Sequence, residues 1–381
     1  MKVDKSKWEK VRLIDVAPIC PSSENSANSV VWLLNLDMIE SQTGKIIRKQ
    51  YCDKKDIGTS VIQFTNSHVL WSKLRPYLNK VVLPDENGYA TSELIPLLPN
   101  RIKRKYLFHL LMSKWFVTQM VASAEGARMP RASMKEFRKL TIALPSEDEQ
   151  TVIAEELDGI QSMIGKCREQ LEDYDRLARS IFHEMFGDPV RNDKGWEMKT
   201  LGDCGLIVTG NTPSKKKKDN YNKRDYLFVK PGDFRERTIT KIEHTEDALS
   251  IQGFEQARKI PAGAVLVTCI GTIGKVGISM SELSCNQQIN AIVPNADVCN
   301  LYLSYAVSGI RTIMSKQAHG PVVPIINKTA FSAFVIPLSP LPLQQQFAAR
   351  IEAIEAMKEA TKAQLADLQQ LFDSRMQYYF S

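Results

Sequence analysis

The chain repeats itself, and this internal repeat constrains the fold more than any other feature of the sequence. When the sequence is shifted so that Ile142 meets Ile336, the similarity continues without a gap to Phe186 and Phe380. The matched pairs include Gln150 with Gln344, Met163 with Met357, Leu171 with Leu365, Asp173 with Asp367, Leu177 with Leu371 and Ser180 with Ser374. Such a repeat predicts two copies of one structural unit. Two related units can present similar surfaces to one elongated partner, and duplex DNA is the obvious candidate.

The length and composition allow two or three globular domains with apolar cores. The chain has 381 residues, of which 43% are hydrophobic, and a net charge of +7 that permits a polyanionic partner without requiring one. It lacks any apolar run of about 18 residues, and its first residues lack the apolar stretch of a secretory signal. The seven cysteines are scattered without a C-x-x-C pair, and the five histidines show no ligand spacing. We therefore expect reduced thiols, no bound metal and a cytoplasmic location.

The segment after Pro145 predicts a long helix. Ser146, with Glu149 three residues on, forms a capping box at its start, and Gly187-Asp188-Pro189 marks its end. Between them, apolar or small residues recur at alternating spacings of three and four, which is a heptad pattern. The heptad positions are Leu157, Ile160, Ile164, Cys167, Leu171, Tyr174, Ala178, Ile181 and Met185. From Glu149 to Phe186 the helix would span about 57 Å.

A second long helix is predicted to start near Leu343 and to run towards the end of the chain. Its apolar stripe is weaker, because three of its positions are polar (Lys358, Thr361 and Arg375). The apolar positions are Ile351, Ile354, Leu365, Leu368, Phe372 and Tyr379. We expect the two long helices to pack as an antiparallel, coiled-coil-like pair through these stripes. The alternative is two separate amphipathic helices, each lying on its own domain.

The rest of the chain predicts two mixed domains, and hence an α+β fold. Each domain opens with a tryptophan (Trp8 or Trp196) and contains a late Tyr-Leu pair that starts a helix-like stretch (at Tyr106 or Tyr302). Short β-prone runs alternate with Gly, Pro and Asn turns. We predict two pseudo-repeated mixed α/β domains separated by two long antiparallel helices that form the spacer. The predicted bounds are 1–144 for the first domain, 145–189 for the first long helix, 190–339 for the second domain and 340–381 for the second long helix.

A lysine tract in the second domain is a candidate for binding phosphates. Four consecutive ammonium groups suit phosphate oxygens, which are contacted without sequence preference, and polar neighbours in the same loop can contact phosphates or bases. The candidates are Asn211, Thr212, Ser214, Lys215, Lys216, Lys217, Lys218 and Tyr221. The alternative is a solvated surface loop.

Further candidates lie in the first domain and at matching places of the repeat. The run 71–80 combines cations with an aromatic residue, a mix that can read base edges and phosphates. The runs 126–133 and 320–328 correspond to each other, with Pro130 on Pro324. The candidates are Lys73, Arg75, Tyr77, Lys80, Arg128, Arg131 and Lys328. The alternatives are a turn in which Tyr77 packs while the charges face water, and a purely structural role for the shared proline.

Motifs for catalysis are missing from the sequence. The run Gly271–Val276 resembles a nucleotide-binding loop only superficially, because Cys269 stands where a P-loop needs its first glycine and Val276 where it needs Ser or Thr. Its glycines favour a tight β-turn. The sequence also lacks a G-x-S-x-G motif and the Asn/Asp-Pro-Pro-aromatic tetrapeptide of amino-methyltransferases.

These residues, taken in order, resemble the specificity (S) subunit of type I restriction-modification systems over essentially the whole chain. In the first domain, 72–80 followed by 90–94 is similar to the family's target-recognition domains. In the second, the similar signatures are 210–214, 229–233, 271–275 and 286–290. The run 336–346 resembles the start of the family's helical region, and 142–150 is a diverged copy of it. Lys275, in the signature 271–275, is a further candidate for binding DNA.

The resemblance implies a division of labour between this chain and its partners. Each globular domain would read one half of a split DNA site, and the paired helices would fix the unspecified spacer between the halves. Two modification subunits would supply S-adenosylmethionine and adenine methylation, and two restriction subunits would supply ATP-driven translocation and cleavage with Mg²⁺. This chain would hold no active site or cofactor. The alternatives are a helical scaffold that gathers protein partners without reading DNA, and the recognition part of a self-contained restriction-methylation enzyme.

Overall fold

The computed structural model describes residues 3–23, 29–236, 238–320 and 323–381. By their contacts the residues form two compact units. Unit 1 comprises Met1–Arg168 and Ala363–Ser381, and unit 2 comprises Glu169–Lys362. Each long helix therefore contributes one part to each unit. Pro321 and Val322, within the run 320–328 singled out above, lie outside the described residues.

Unit 1 is built from short strands and helices around an apolar core. Its elements are β1 (Glu9–Arg12), α1 (Leu13–Val16), β2 (Val30–Leu34), β3 (Tyr51–Asp53), β4 (Val61–Phe64), β5 (Val69–Ser72), β6 (Val81–Val82), β7 (Gly88–Thr91), β8 (Leu94–Leu97), α2 (Arg104–Met112), α3 (Lys114–Ala122), α4 (Met134–Lys139), β9 (Thr141–Leu144) and α5 (Glu147–Phe186), which continues into unit 2. The described sheets have the strand orders β1-β9, β3-β2-β7-β4 and β6-β5-β8. In the core, the Trp71 ring stacks on Phe137 at 5.1 Å and meets the edge of Phe116 at 5.3 Å.

Unit 2 has the same kind of construction. Its elements are β10 (Glu197–Thr200), α6 (Leu201–Cys204), β11 (Gly205–Thr209), β12 (Tyr226–Val229), β13 (Thr240–Ile242), β14 (Asp247–Leu249), α7 (Ile251–Glu255), β15 (Val265–Thr268), β16 (Val276–Ser279), β17 (Ser284–Cys285), β18 (Ile289–Pro294), α8 (Asn300–Gly309), α9 (Arg311–Gln317), α10 (Lys328–Ser332), β19 (Val335–Leu338) and α11 (Leu341–Phe380), which continues into unit 1. The described sheets have the orders β10-β19, β11-β18-β15-β16-β13 and β14-β12-β17. The ladder β10-β19 corresponds to β1-β9, because each leads directly into a long helix.

The two long helices confirm the predicted α+β architecture with long helical spacers. The Ser146 hydroxyl accepts the backbone N–H of Glu149 at 3.3 Å, and the Glu149 carboxylate accepts the N–H of Ser146 at 3.2 Å. This capping box satisfies amide groups that a helix start leaves unpaired. At the other end of α5, Gly187 has a φ of 78°, the left-handed conformation that ends many helices. α11 begins at Leu341, two residues before the predicted start.

Two of the three polar positions of the α11 stripe, Lys358 and Arg375, contact α5. In unit 2, the Lys358 ammonium lies 2.8 Å from the Asp175 carboxylate of α5. In unit 1, the guanidinium of Arg375 donates to the Glu156 carboxylate of α5. This bond is the main reason why the pKa of Glu156 is lowered below its usual value. Two of the three polar residues that interrupt the apolar stripe, Lys358 and Arg375, therefore carry ion pairs, which help to fix the antiparallel register.

All the residues of the predicted seam are buried or half-buried, but the packing departs from a strict heptad near the end of α5. There the side chains that pack most deeply are Phe182 and Phe186, which are 3% and 1% exposed, whereas Ile181 and Met185 are only half-buried. A straight α-helix has 3.6 residues per turn, so a pattern repeating every 3.5 residues drifts by about 20° per heptad. Over several turns, that drift moves the buried positions of α5 from Ile181 and Met185 to the next residues, Phe182 and Phe186.

A buried glutamine fixes the first turns of each long helix: Gln344 in unit 2 and Gln150 in unit 1. In unit 2 the Gln344 carboxamide accepts the N–H of Cys299 at 2.8 Å and donates to the Ser339 carbonyl at 2.6 Å. In unit 1 the Gln150 carboxamide accepts the N–H of Lys103 at 2.7 Å and donates to the Pro145 carbonyl at 3.0 Å. Lys103 and Cys299 are the residues before α2 and α8, so the matched glutamines satisfy the same helix starts.

We expect Gln344→Ala to lower the free energy of unfolding by about 2–4 kcal/mol, because it leaves the half-buried N–H of Cys299 and the buried carbonyl of Ser339 unpaired. Gln345→Ala is the matched control, since the neighbouring Gln345 is exposed and its loss should change stability by less than about 0.5 kcal/mol. Urea unfolding of both variants measures the difference. Equal stability of the two variants would contradict the role given to Gln344.

Candidate DNA interface

Two loops of unit 1 join to form one exposed surface, which we call the first platform. It consists of residues 72–80, which begin at the last residue of β5, and residues 124–132, before α4. The backbone N–H of Arg75 donates to the Pro130 carbonyl at 2.7 Å, and Leu74 forms an antiparallel bridge with Arg131. These bonds bring together all six candidates of the first domain, which lie far apart in the sequence between Lys73 and Arg131.

Two of the six candidates on the first platform carry a partner of opposite charge. The Arg131 guanidinium contacts the Glu93 carboxylate through two nitrogens, at 3.0 and 2.7 Å, and the Lys73 ammonium lies 4.0 Å from the same carboxylate. The pKa of Arg131 is raised by its bond to Glu93. Because the Glu93 charge is shared by two cations, this cluster keeps a net positive charge.

The remaining candidates of the first platform differ in what their side chains contact. The Lys80 ammonium donates to the Leu36 carbonyl at 2.6 Å, and partial burial lowers its pKa. The Tyr77 side chain is 48% exposed. Arg75 and Arg128 are exposed, and neither guanidinium has an ion-pair or hydrogen-bond partner among the described residues. The platform thus offers two unpaired guanidinium groups and an exposed aromatic ring.

Unit 2 contains a second platform with the same backbone hydrogen bonds, formed by residues 268–275 and the described residues of 318–327. In both platforms one loop donates to the carbonyl of the matched proline, Pro130 or Pro324. In the first platform, the backbone N–H donors and their carbonyl acceptors are Ser72 to Lys80, Lys73 to Glu93, Arg75 to Pro130 and Ala132 to Lys73. In the second platform, the corresponding bonds, in the same order, are Thr268 to Lys275, Cys269 to Gln288, Gly271 to Pro324 and Ile326 to Cys269. The match of the two prolines in the repeat was the only sequence signal for this pairing.

The side chains of the second platform differ from those of the first. The second platform lacks the charged cluster of the first. At the positions of Lys73, Arg131 and Glu93 it has Cys269, Ile325 and Gln288. Ile325 and Val323 are 44% and 42% exposed. Sequence reasoning missed both, because an exposed aliphatic residue has no pattern that distinguishes it from a core residue.

The two lysine candidates at the second platform, Lys275 within it and Lys328 directly after it, differ in exposure. The Lys275 side chain is only 14% exposed; its ammonium lies 3.0 Å from the Glu236 carboxylate and 3.3 Å from the Phe234 carbonyl. Lys328, the first residue of α10, is exposed.

The lysine tract 215–218 is exposed on a loop that is anchored at both sides. The buried Asn220 donates to the Ser214 carbonyl at 3.0 Å, and the Tyr221 hydroxyl donates to the Pro213 carbonyl at 2.7 Å. These bonds hold the tract as a defined cationic projection. Three of the lysines, Lys216, Lys217 and Lys218, border a cavity of about 690 Å³ that also contacts α7.

Three of the four polar candidates beside the tract, Asn211, Thr212 and Tyr221, make side-chain hydrogen bonds within unit 2. The Asn211 carboxamide accepts the N–H of Arg258 at 2.7 Å and donates to the Gln256 carbonyl at 3.0 Å. The Thr212 hydroxyl donates to the Gln287 side chain at 2.6 Å, next to the second platform. Their side chains therefore shape the loop, and their contact with DNA, like that of the other candidates, stays a prediction.

The described residues contain no group of three or more His, Cys, Asp or Glu side chains that could hold a metal ion. Within the same part of the chain, every helix is too short or too polar to cross a membrane.

Comparison with known proteins gives the family. Residues 5–172 and again residues 193–370 match the type I restriction modification DNA specificity domain. The chain belongs to this family. It is 24% identical over 418 aligned positions to the type I restriction enzyme HindI specificity subunit of Haemophilus influenzae, covering 87% of this chain and 89% of that protein. It is 22% identical to the EcoR124I/EcoR124II specificity subunit of Escherichia coli, covering 74% of this chain and 70% of that protein.

Solved structures show the same fold for the two specificity domains and the long helices. A chain from a study of assembly and conformational transition in the type I R-M system matches with a TM-score of 0.65 and 20% identity, covering 98% of this chain and 97% of that chain. The type I restriction-modification S subunit from M. genitalium matches with a TM-score of 0.59 and 13% identity, covering 100% and 98%. The two matched segments each contain one platform.

Proposed function

We propose that this chain is the recognition subunit of a type I restriction-modification complex and reads a bipartite DNA site, one half per specificity domain. The observation that carries the proposal is the pair of platforms, which share their backbone hydrogen bonds but differ in the side chains they present. A shared backbone can dock on DNA in the same way twice, while different side chains select different bases. The long helices then set the unspecified gap between the two halves.

The proposed complex contains two modification subunits and two restriction subunits. The long helices support a paired arrangement, because they expose apolar side chains at positions that correspond in the repeat. Met163 and Met357 are 44% and 43% exposed, and Leu177 and Leu371 are each 44% exposed. Exposed apolar residues repeated in this way favour two equivalent contacts with a protein partner.

In this proposal the chain is not an enzyme and binds no cofactor of its own. S-adenosylmethionine would be bound by the modification subunits, and ATP with Mg²⁺ by the restriction subunits. The complex would act in the cytoplasm on cellular or incoming DNA. The contribution of this chain is then to hold the modification subunits at a chosen sequence, and its loss should abolish methylation without changing the chemistry of the partner.

Methylation-site mapping tests the proposed function. Cells that carry this chain together with its modification subunit should show methylated adenines in one split motif, with two short halves around a fixed gap. Deletion of the chain should remove that motif completely. An unchanged pattern of methylation after deletion would contradict the proposal. Binding of the purified assembly to partner proteins but not to DNA would then favour the scaffold alternative.

A further inference from the structure

Arg75 has a backbone conformation that is unusual for arginine. Its φ is 49° and its ψ is 63°, in the left-handed region where the Cβ of most residues is crowded. At the matched position of the second platform the chain has Gly271, with a φ of 75°. Both residues donate their N–H to the matched proline. The shared backbone therefore favours glycine at this position, and the first platform has arginine against that preference.

Lack of space does not explain why the second platform has Gly271 where the first has Arg75. A Cβ built on Gly271 would meet only the Val323 side chain, at 4.0 Å, which is an ordinary contact. The positive φ is thus the reason for glycine in unit 2. In unit 1 the same conformation is kept with a side chain that makes no ion pair or hydrogen bond among the described residues. A strained residue without a structural partner points to a functional role.

The surroundings of Arg75 hold its backbone firmly. Its N–H donates to Pro130, its carbonyl accepts the N–H of Leu78 at 2.8 Å, and the next residue, Pro76, is buried. The neighbouring cations Arg131 and Lys73 are drawn towards Glu93. Arg75 therefore presents an exposed guanidinium on a firmly held backbone, as hydrogen bonding to a DNA base edge requires.

We propose that Arg75 is a specificity-determining residue of the unit 1 half-site and donates its guanidinium to the major-groove edge of one base, with guanine as the preferred partner. The inference rests on the proposed function and names a contact within it. Guanine O6 and N7 both accept, and arginine can donate to both at once. Gly271 offers no side chain at the matched place, and the exposed Ile325 and Val323 suit a thymine methyl. The two half-sites should therefore differ at this position.

The test uses two substitutions, Arg75→Gly and Arg75→Ala, in the full chain purified together with its modification subunit. Both remove the guanidinium, but only glycine relieves the backbone. We expect Arg75→Gly to melt at or above the temperature of the unsubstituted protein, and Arg75→Ala to melt below Arg75→Gly. Selection from a randomised duplex DNA library should show both variants losing preference at one base pair of one half-site, by roughly tenfold to a hundredfold. The unit 2 half-site, selected by the same molecules, serves as the internal control.

Three results would overturn the inference. Uniform weakening over all sequences, with a shallower salt dependence, would make Arg75 a phosphate contact. Unchanged base preference and affinity in both variants would mean that Arg75 does not contact DNA. A clear loss of thermal stability in Arg75→Gly would assign it to the fold. If the unsubstituted protein selects no split site, the proposed function fails, and the inference fails with it.

Discussion

Replacing Phe182 with alanine is expected to lower the free energy of unfolding of unit 2 by about 3–5 kcal/mol. The Phe182 ring is 3% exposed, lies 5.4 Å from Phe347 of α11 and 5.7 Å from Tyr302 of α8, and stacks on Tyr305 at 5.9 Å. It therefore joins the two long helices to the globular part of unit 2. A cavity at this point removes contacts to two other elements at once, α8 and α11, and rigid rings cannot close it.

The matched control is Leu177→Ala on the same helix, because Leu177 is 44% exposed and should contribute little to stability. Urea unfolding gives the overall change. Hydrogen exchange then shows where the change lies, since peptides of unit 2 should lose protection while those from the globular part of unit 1 keep it. A Phe182→Ala protein as stable as Leu177→Ala would contradict the central position of this ring.

Lengthening both long helices by one heptad is expected to widen the gap in the DNA site by about three base pairs. Duplicating 162–168 directly after Arg168, and 356–362 directly after Lys362, inserts seven residues at the boundary between the units in each helix. Seven helical residues add about 10 Å, and one base pair occupies about 3.4 Å of duplex. Because the insertions coincide with the unit boundary, the ion pairs Glu156–Arg375 and Asp175–Lys358 remain within their own units.

Selection from a randomised library, or mapping of methylated sites in cells, measures the gap directly. Both half-sites should be unchanged, and binding to the original spacing should be lost. The unsubstituted protein, with helices of the original length, is the control and should keep the original gap. A gap that stays fixed in the lengthened protein would mean that the long helices do not set the spacing.

The long helices could be predicted from the sequence because their signals are local. The capping box at Ser146, the glycine at position 187 and the stripe of apolar residues all act within a few residues of the backbone that they shape. The deviation at Phe182 is also instructive. The heptad favours Ile181, but the drift of the helix and the packing against Phe347 and Tyr302 make its neighbour the buried residue.

The candidate interface was predictable only as a set of separate cationic runs. That Arg75 lies beside Pro130 could not be predicted, because hydrogen bonds between loops distant in the sequence leave no periodic pattern. The sequence also does not predict which cations form ion pairs. Arg131 and Arg128 are equivalent as sequence letters, yet one is paired with Glu93 and the other is not.

The sequence by itself determined the duplication, the two long helices and the kind of domain they separate. Each of these follows from a pattern between neighbouring residues or between whole halves of the chain. Only the tertiary structure decided which loops form the platforms, which cations keep a free guanidinium and where the helix seam drifts. Those features depend on contacts between distant residues, whose free energies arise only when the chain is folded.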